Sequence, residues 1–302
     1  MIHTLTTLLS VCLSVLMASA ALAQTATDTL KKIKESGTVV IGHRDASIPF
    51  SYLDDQQKPI GYSMDICLKV VDALKAELKL PNLKVQMNPV TSATRIPLMQ
   101  NGTIDLECGS TTNNLERQKQ VAFAVTTFVT ANRLMAKKTS NIKTLDDMKG
   151  KAIVSTSGTT NLKQITELNG QRNLGMNIMT AKDHAEAFLM VETDRAVAFA
   201  MDDILLYSLV ANAKNPAEFL ITSEALSVEP YGVMLRKDDA AFKTVVDNAI
   251  TELFKSGDIT KIYSKWFLAP VPPKNINLNV PMSEALKKVI AKPTDSGDPK
   301  DY

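Results

Sequence analysis

From Leu30 onward, short strand-like runs alternate with amphipathic helical ones, and this alternation leaves few architectures open besides a sheet with helices on its faces. Val39-Val40-Ile41-Gly42 reads as a strand after a short helix containing Leu30 and Ile33. Ile66, Val70, Leu74 and Leu78 recur every fourth residue, so they line one face of a helix starting near Ser63. Further strands fit 83–87 and 103–106, with a short helix over 94–101 between them.

A second series begins near Arg133, after which 137–141 forms a polar connection. Strands are expected at 152–155, 176–179 and 196–201, and helices at 160–168, 184–192 and 203–213. A strand at 231–235 and two helices within 241–267, separated at Ser256-Gly257, come after this unit closes. The tail from Pro270, rich in Pro, Asn and Lys, is expected to wrap the surface. The reading is therefore an α/β protein with a discontinuous first lobe, 24–131 and 225–302, and a second lobe, 132–224. Crossings near 126–133 and 222–231 would form a two-strand hinge beside a cleft, the place where such sheets hold small ligands.

Length agrees, since 302 residues at ~150 per domain suggest two cores. With 45% hydrophobic and 22% charged residues the chain is globular rather than disordered. The balance of 34 Lys+Arg against 32 Asp+Glu disfavours a nucleic-acid binder, which would carry a basic excess.

Residues 1–23 stand apart, with no Asp, Glu, Lys or Arg from Ile2 to Ala23. The apolar stretch from Leu8 to Met17 is short of the ~20 residues that span a bilayer, and Ala21-Leu22-Ala23 offers the small-x-small pattern of signal peptidase. This segment reads as a cleaved export signal, although its start carries only His3 and the terminal amine. A buried N-terminal helix is the bland alternative. A lipid anchor at Cys12 is opposed by bulky Val11 before it and by the apolar run beyond it. Cys67 and Cys108 remain after cleavage; export would let them pair, but buried free thiols are equally compatible.

Several polar groups fall where strands give way to helices. Arg44 follows the first strand, Ser92 and Arg95 open the helix after the second, Arg117 follows Cys108-Gly109-Ser110-Thr111-Thr112-Asn113-Asn114, and His184 starts a helix. The runs 109–112 and 155–160 supply hydroxyls and backbone N–H groups, the latter immediately before a helix, whose N-terminus attracts a carboxylate or phosphate. Taken singly, such a run is more simply a set of helix caps. Two of them facing one cleft, with Arg117 nearby, favour an anion site. Asp202-Asp203 closes a strand; Asp202 can hold a ligand ammonium, and Asp203 is the better helix cap.

Catalytic signatures are sparse: there is no Gly-x-Ser-x-Gly, His-Glu-x-x-His, Cys-x-x-Cys or Walker-type loop. Neither the two histidines beyond the signal nor the cysteines have metal-site spacing, so no cofactor or metal is expected.

Gly42-His43-Arg44 to Pro49-Phe50-Ser51-Tyr52, Arg95-Ile96-Pro97-Leu98 and Glu107 to Asn114 with Glu116-Arg117 carry a family likeness. So do Ser157-Gly158-Thr159-Thr160, Ala181-Lys182-Asp183-His184, Met201-Asp202-Asp203 and Lys265-Trp266-Phe267. In this order they resemble the periplasmic solute-binding proteins of ABC amino-acid transporters, in the glutamate/aspartate-binding branch. The resemblance implies a type II periplasmic binding protein fold that closes on one amino acid. It implies a monomer in the periplasm that presents L-glutamate or L-aspartate to a membrane permease.

By the same resemblance, Arg117 with N–H groups near Thr112 and Thr160 would take the α-carboxylate. Asp202, with Ser110 and Thr112, would take the ammonium, and Arg44, Ser92, Arg95 and His184 would grip a second carboxylate. Counting Arg44, Arg95 and Arg117 against Asp202 puts the pocket near +2, which suits a ligand of net −1 better than a neutral or basic one. Rival readings are an enzyme on the same scaffold, such as a dehydratase acting on a carboxylated ring, and a sensor that hands its ligand to a receptor.

Overall fold

A computed structural model describes residues 28–302; the export signal expected at 1–23 lies outside them. The chain runs through α1 (Thr29–Ser36), β1 (Thr38–His43), β2 (Ala46–Ser47), β3 (Ser51–Leu53), β4 (Pro59–Ile60) and α2 (Tyr62–Leu78). Then come β5 (Lys84–Pro89), α3 (Arg95–Gln100), β6 (Leu106–Glu107) and β7 (Ala122–Phe123). A ten-residue strand, β8 (Phe128–Lys137), leads into β9 (Ala152–Thr156), α4 (Thr160–Gln171), β10 (Asn177–Ala181) and α5 (His184–Glu192). These are followed by β11 (Ala198–Asp202), α6 (Asp203–Ala211) and β12 (Phe219–Ile221). The chain returns through β13 (Ser227–Tyr231) to β14 (Met234–Leu235), α7 (Ala240–Ser256), α8 (Asp258–Phe267), β15 (Pro270–Val271), β16 (Ile276–Asn277) and α9 (Glu284–Ala291).

Two mixed sheets result. The first has the order β5-β1-β6-β14-β7, with β1 parallel to β5 and β6, and β14 antiparallel to its neighbours. The second has the order β10-β9-β11-β8-β12, parallel across β10, β9 and β11 and antiparallel at β8. The first half of β8 also pairs with β13, from Phe128 opposite Tyr231 to Asn132 opposite Ser227. The two segments connecting the sheets therefore run side by side as one antiparallel ladder.

The helices form as the apolar spacing dictates. Ile66, Val70 and Leu74 are fully buried on one face of α2, which packs on α7 and α8. Gly257, at positive φ, ends α7 and separates it from α8. Aromatic rings fill the space beneath the crossing: Phe128 stacks on Phe267 at 5.0 Å, while Phe50 meets Phe128 at 4.9 Å and Tyr231 at 5.2 Å, edge to face. Trp266 of α8 donates its indole N–H to Asp65 of α2 at 2.7 Å and meets the ring of Tyr52 edge to face.

The tail departs from a plain surface wrap, because it contains a helix, α9, which buries Leu286 and Val289. Beyond α9 the tail returns to the crossing, where Thr126 N–H donates to the Thr294 carbonyl at 2.8 Å and Asn113 Nδ2 donates to the Asp295 carbonyl at 2.8 Å. Cys67 and Cys108 are joined in a disulfide that ties α2 to the end of β6.

Candidate functional site

Each singled-out residue except Arg117 lies at or just beyond the carboxyl end of a strand: Arg44 after β1, Ser92 and Arg95 after β5, Ser110 and Thr112 after β6. Thr160 follows β9, His184 follows β10, and Asp202 ends β11. Arg117 opens a 3-10 turn, its N–H capped by Asn114 Oδ1 at 2.8 Å. All nine meet in one region between the sheets, and all but half-buried Thr160 are buried.

Arg117 Nη1 donates to the Thr112 carbonyl at 2.8 Å. Arg95 Nη1 donates to Thr111 Oγ1 at 2.5 Å and, more weakly, to the Ser110 carbonyl at 3.4 Å. His184 Nδ1 shares a proton with Thr156 Oγ1 at 2.8 Å. Asp202 accepts from Asn161 Nδ2 at 2.7 Å and from the Tyr231 hydroxyl. Thr160 Oγ1 donates to Glu229 at 2.8 Å. At the mouth, Lys163 of α4 pairs with Glu116; both are more than half exposed, so water screens the pair.

Among these residues five buried polar atoms have no hydrogen-bond partner in the protein: Arg44 Nη1, Ser92 Oγ, Arg95 Nε, Ser110 Oγ and His184 Nε2. Buried polar atoms are ordinarily satisfied, so donors and acceptors left open together mark a place built for a polar ligand.

The electrostatics agree with crowded cations. Burial, then Arg95, lowers Arg44 to about 10 and Arg117 to about 9, so both stay charged at neutral pH. Burial also lowers Arg95. Burial, then Arg44 and Arg95, holds His184 well below its usual range, leaving the ring neutral. Burial, then Glu229, raises the Asp202 carboxyl to about 7.

Two expectations need correcting. Asp203 is not the cap of α6: it is the helix's first residue, and its carboxylate accepts from Thr130 Oγ1 at 2.6 Å and Arg133 Nε at 3.0 Å. The cap position belongs to Asp202, whose side chain makes no capping bond because Asn161 and Tyr231 occupy it. Second, the pocket is not near +2 in fixed charge, because Glu107 and Glu229 are also buried beside the arginines. Glu107 stands in the very run that carries the family likeness, and Glu229 precedes Pro230 on the returning strand. A count restricted to strand-to-helix junctions passes over both.

A two-sheet α/β protein joined by a paired crossing, with an arginine-rich polar site between the sheets, defines the class. The chain belongs to the bacterial extracellular solute-binding proteins, family 3, which match residues 39–269. It is 59% identical over 281 residues to the L-glutamate/L-aspartate-binding protein of Pseudomonas aeruginosa, covering 93% of each chain. It is 48% identical over 273 residues to the glutamate/aspartate import solute-binding protein of Escherichia coli, covering 90% of each. The crystal structure of a mutant of ArgBP from T. maritima superposes with a TM-score of 0.70 at 25% identity, covering 78% of this chain and 98% of that one. Among the described residues no helix is long and apolar enough to cross a membrane.

Proposed function

We propose that the protein captures L-glutamate or L-aspartate between its lobes, 24–131 with 225–302 and 132–224, and delivers it to an ABC importer. The observation that carries this reading is the set of five open polar atoms arrayed around three buried arginines.

Arg117 takes the α-carboxylate, helped by the free N–H groups that open α4 at Thr160 and by the loop at Thr112. Asp202 takes the ammonium, with Ser110 and Thr112 alongside. Arg44, Ser92, Arg95 and His184 take the side-chain carboxylate. In the tautomer in which Thr156 donates to Nδ1, the neutral imidazole of His184 offers Nε2–H as a further donor. Guanidinium groups fork onto carboxylates, and an amide in their place would leave buried donors poorly matched. The relatives named as glutamate/aspartate-binding proteins support the same ligand class.

We read the protein as a binder rather than an enzyme because the cleft carboxyls are engaged. Glu229 is held by Thr160 and Ser227, Asp202 by Asn161 and Tyr231, and Glu107 by Thr111 through Oε2 alone, its Oε1 having no hydrogen-bond partner. It acts in the periplasm as a monomer and presents its ligand to the permease. Calorimetry on the protein without residues 1–23, with glutamate, aspartate, glutamine and arginine, tests the reading. Both acids are expected to bind more tightly than glutamine or arginine; a preference for glutamine or arginine overturns the reading.

A further inference from the structure

We propose that Glu107 is a positioning residue that sets selectivity for a side-chain carboxylate by holding Arg95 through the hydroxyl of Thr111. The proposal rests on the reading above, in which Arg95 faces that carboxylate.

Glu107 ends β6, an inner strand of the first sheet, opposite Gly42 of β1 and Met234 of β14. That position leaves its side chain 0% exposed, in the field of Arg44, Arg95 and Arg117. Its Oε2 accepts from Thr111 Oγ1 at 2.5 Å, and Arg95 Nη1 donates to the same Thr111 oxygen at 2.5 Å.

The direction of this chain of bonds is fixed by chemistry. A guanidinium only donates, so Thr111 Oγ1 must accept from Arg95 and spend its one proton on Oε2 of Glu107. The result is an ordered relay, Arg95 to Thr111 to Glu107, in which each bond polarises the next. It occupies one edge of the guanidinium and leaves Nε of Arg95 without a protein partner.

The neighbouring backbone is shaped around the same carboxylate. A Cβ at Gly109 would press on Oε1 of Glu107 and lie 3.0 Å from Cγ of Arg44, so the missing side chain lets the carboxylate and the Arg44 stem share this space. A glutamate placed only to offset positive charge would not need the relay. Its influence would then survive loss of the Thr111 hydroxyl.

The test uses Thr111→Val, which keeps the shape and changes no charge, with calorimetric titration of glutamate and glutamine. Breaking a charge-assisted bond should lower glutamate affinity about tenfold and move glutamine affinity less than about threefold. Thr111→Ser, which restores the hydroxyl, should recover the glutamate-over-glutamine ratio. In a Glu107→Ala background, Thr111→Val should cost nothing further, because the relay is already gone. If Glu107→Ala melts below the assay temperature, Glu107→Gln replaces it, and Thr111→Val should then cost less than in the parent. An unchanged ratio in Thr111→Val, equal losses for both ligands, or full additivity with the Glu107 variant overturns the proposal. Failure of the unmutated protein to bind glutamate would instead overturn the functional reading itself.

Discussion

Arg117, rooted beside the first sheet, donates through Nη2 to the backbone carbonyl of Gly158 beyond the second, at 3.1 Å. The same guanidinium is held from behind by the Thr112 carbonyl, so it links both lobes at the point where we place the α-carboxylate. Removing it should abolish binding of every amino acid, by on the order of 100-fold or more, since a buried charge loses its partner. Arg44→Ala should instead mainly narrow the gap between glutamate and glutamine. Titration of both ligands against both variants checks the division of labour, and equal losses for acidic and neutral ligands in Arg44→Ala would contradict it.

Gly158 offers a second test. Its φ is +78°, and a Cβ there would lie 2.6 Å from Cα of Ala93 and 2.7 Å from the Ser92 carbonyl oxygen, backbone atoms of the opposite lobe. Gly158→Ala should therefore obstruct closure, lowering ligand affinity tenfold or more. The cost to folding should be only the backbone strain, ~1 kcal/mol. Paired titration and thermal melts separate the two effects; wild-type affinity in this variant would show that the lobes close differently.

Asp202 gives the pH dependence. Its carboxyl is raised to about 7, against about 4 for an unfolded Asp. Between those values the folded chain holds a proton that the unfolded chain has lost, so this group's stabilising contribution is present at low pH and fades as pH rises through about 7. A ligand ammonium reverses the preference by favouring the carboxylate. Binding near pH 6.5 should release protons, visible as a buffer-dependent enthalpy, and affinity should weaken as pH falls from 8 to 6. Asp202→Asn should abolish the proton release; a variant that keeps it would place the titration elsewhere.

The Cys67–Cys108 bond joins positions 41 apart in the sequence. Chain-entropy arithmetic gives about 4 kcal/mol for a loop of that length. Reduction, or the double Ala variant, should lower the denaturant midpoint accordingly. Because Cys108 adjoins the Gly109–Thr112 run, and Ser63 Oγ also donates to the Gly109 carbonyl at 2.7 Å, glutamate affinity should fall too. Unchanged stability after verified reduction would remove the bond from the account.

The order of strands and helices was legible because period-two and period-four patterns survive in a chain with two solvated surfaces. His184 to Glu192 and the break at Gly257 coincide with the observed elements. The candidate site was legible as a cluster where polar residues gather beyond strand ends, as at Arg44 and Thr160. What stayed hidden depends on contacts between distant segments. Glu107 and Glu229 lie on strands, where a carboxylate normally points to water, and only the neighbouring strands and arginines show that these do not. Likewise, Asp203 reads as a helix cap until Arg133 and Thr130 claim its carboxylate, and Asp202 takes the cap position while Tyr231 and Asn161 hold its side chain. The helix α9 lies in a stretch whose prolines and asparagines dominate the local composition, masking the short apolar face of Leu286 and Val289.

The packing of Trp266 has a spectroscopic consequence. It is the one tryptophan in the sequence, and its indole is fixed by Asp65 and Tyr52, both on the side of the first sheet. None of these partners changes lobes when the cleft closes, so emission excited at the indole band reports the integrity of α2 and α8 and is nearly blind to capture. An aromatic side chain that does reach across the site is Tyr231, bonded to Asp202, and optical assays of ligand binding are better built on that phenol or on an introduced label.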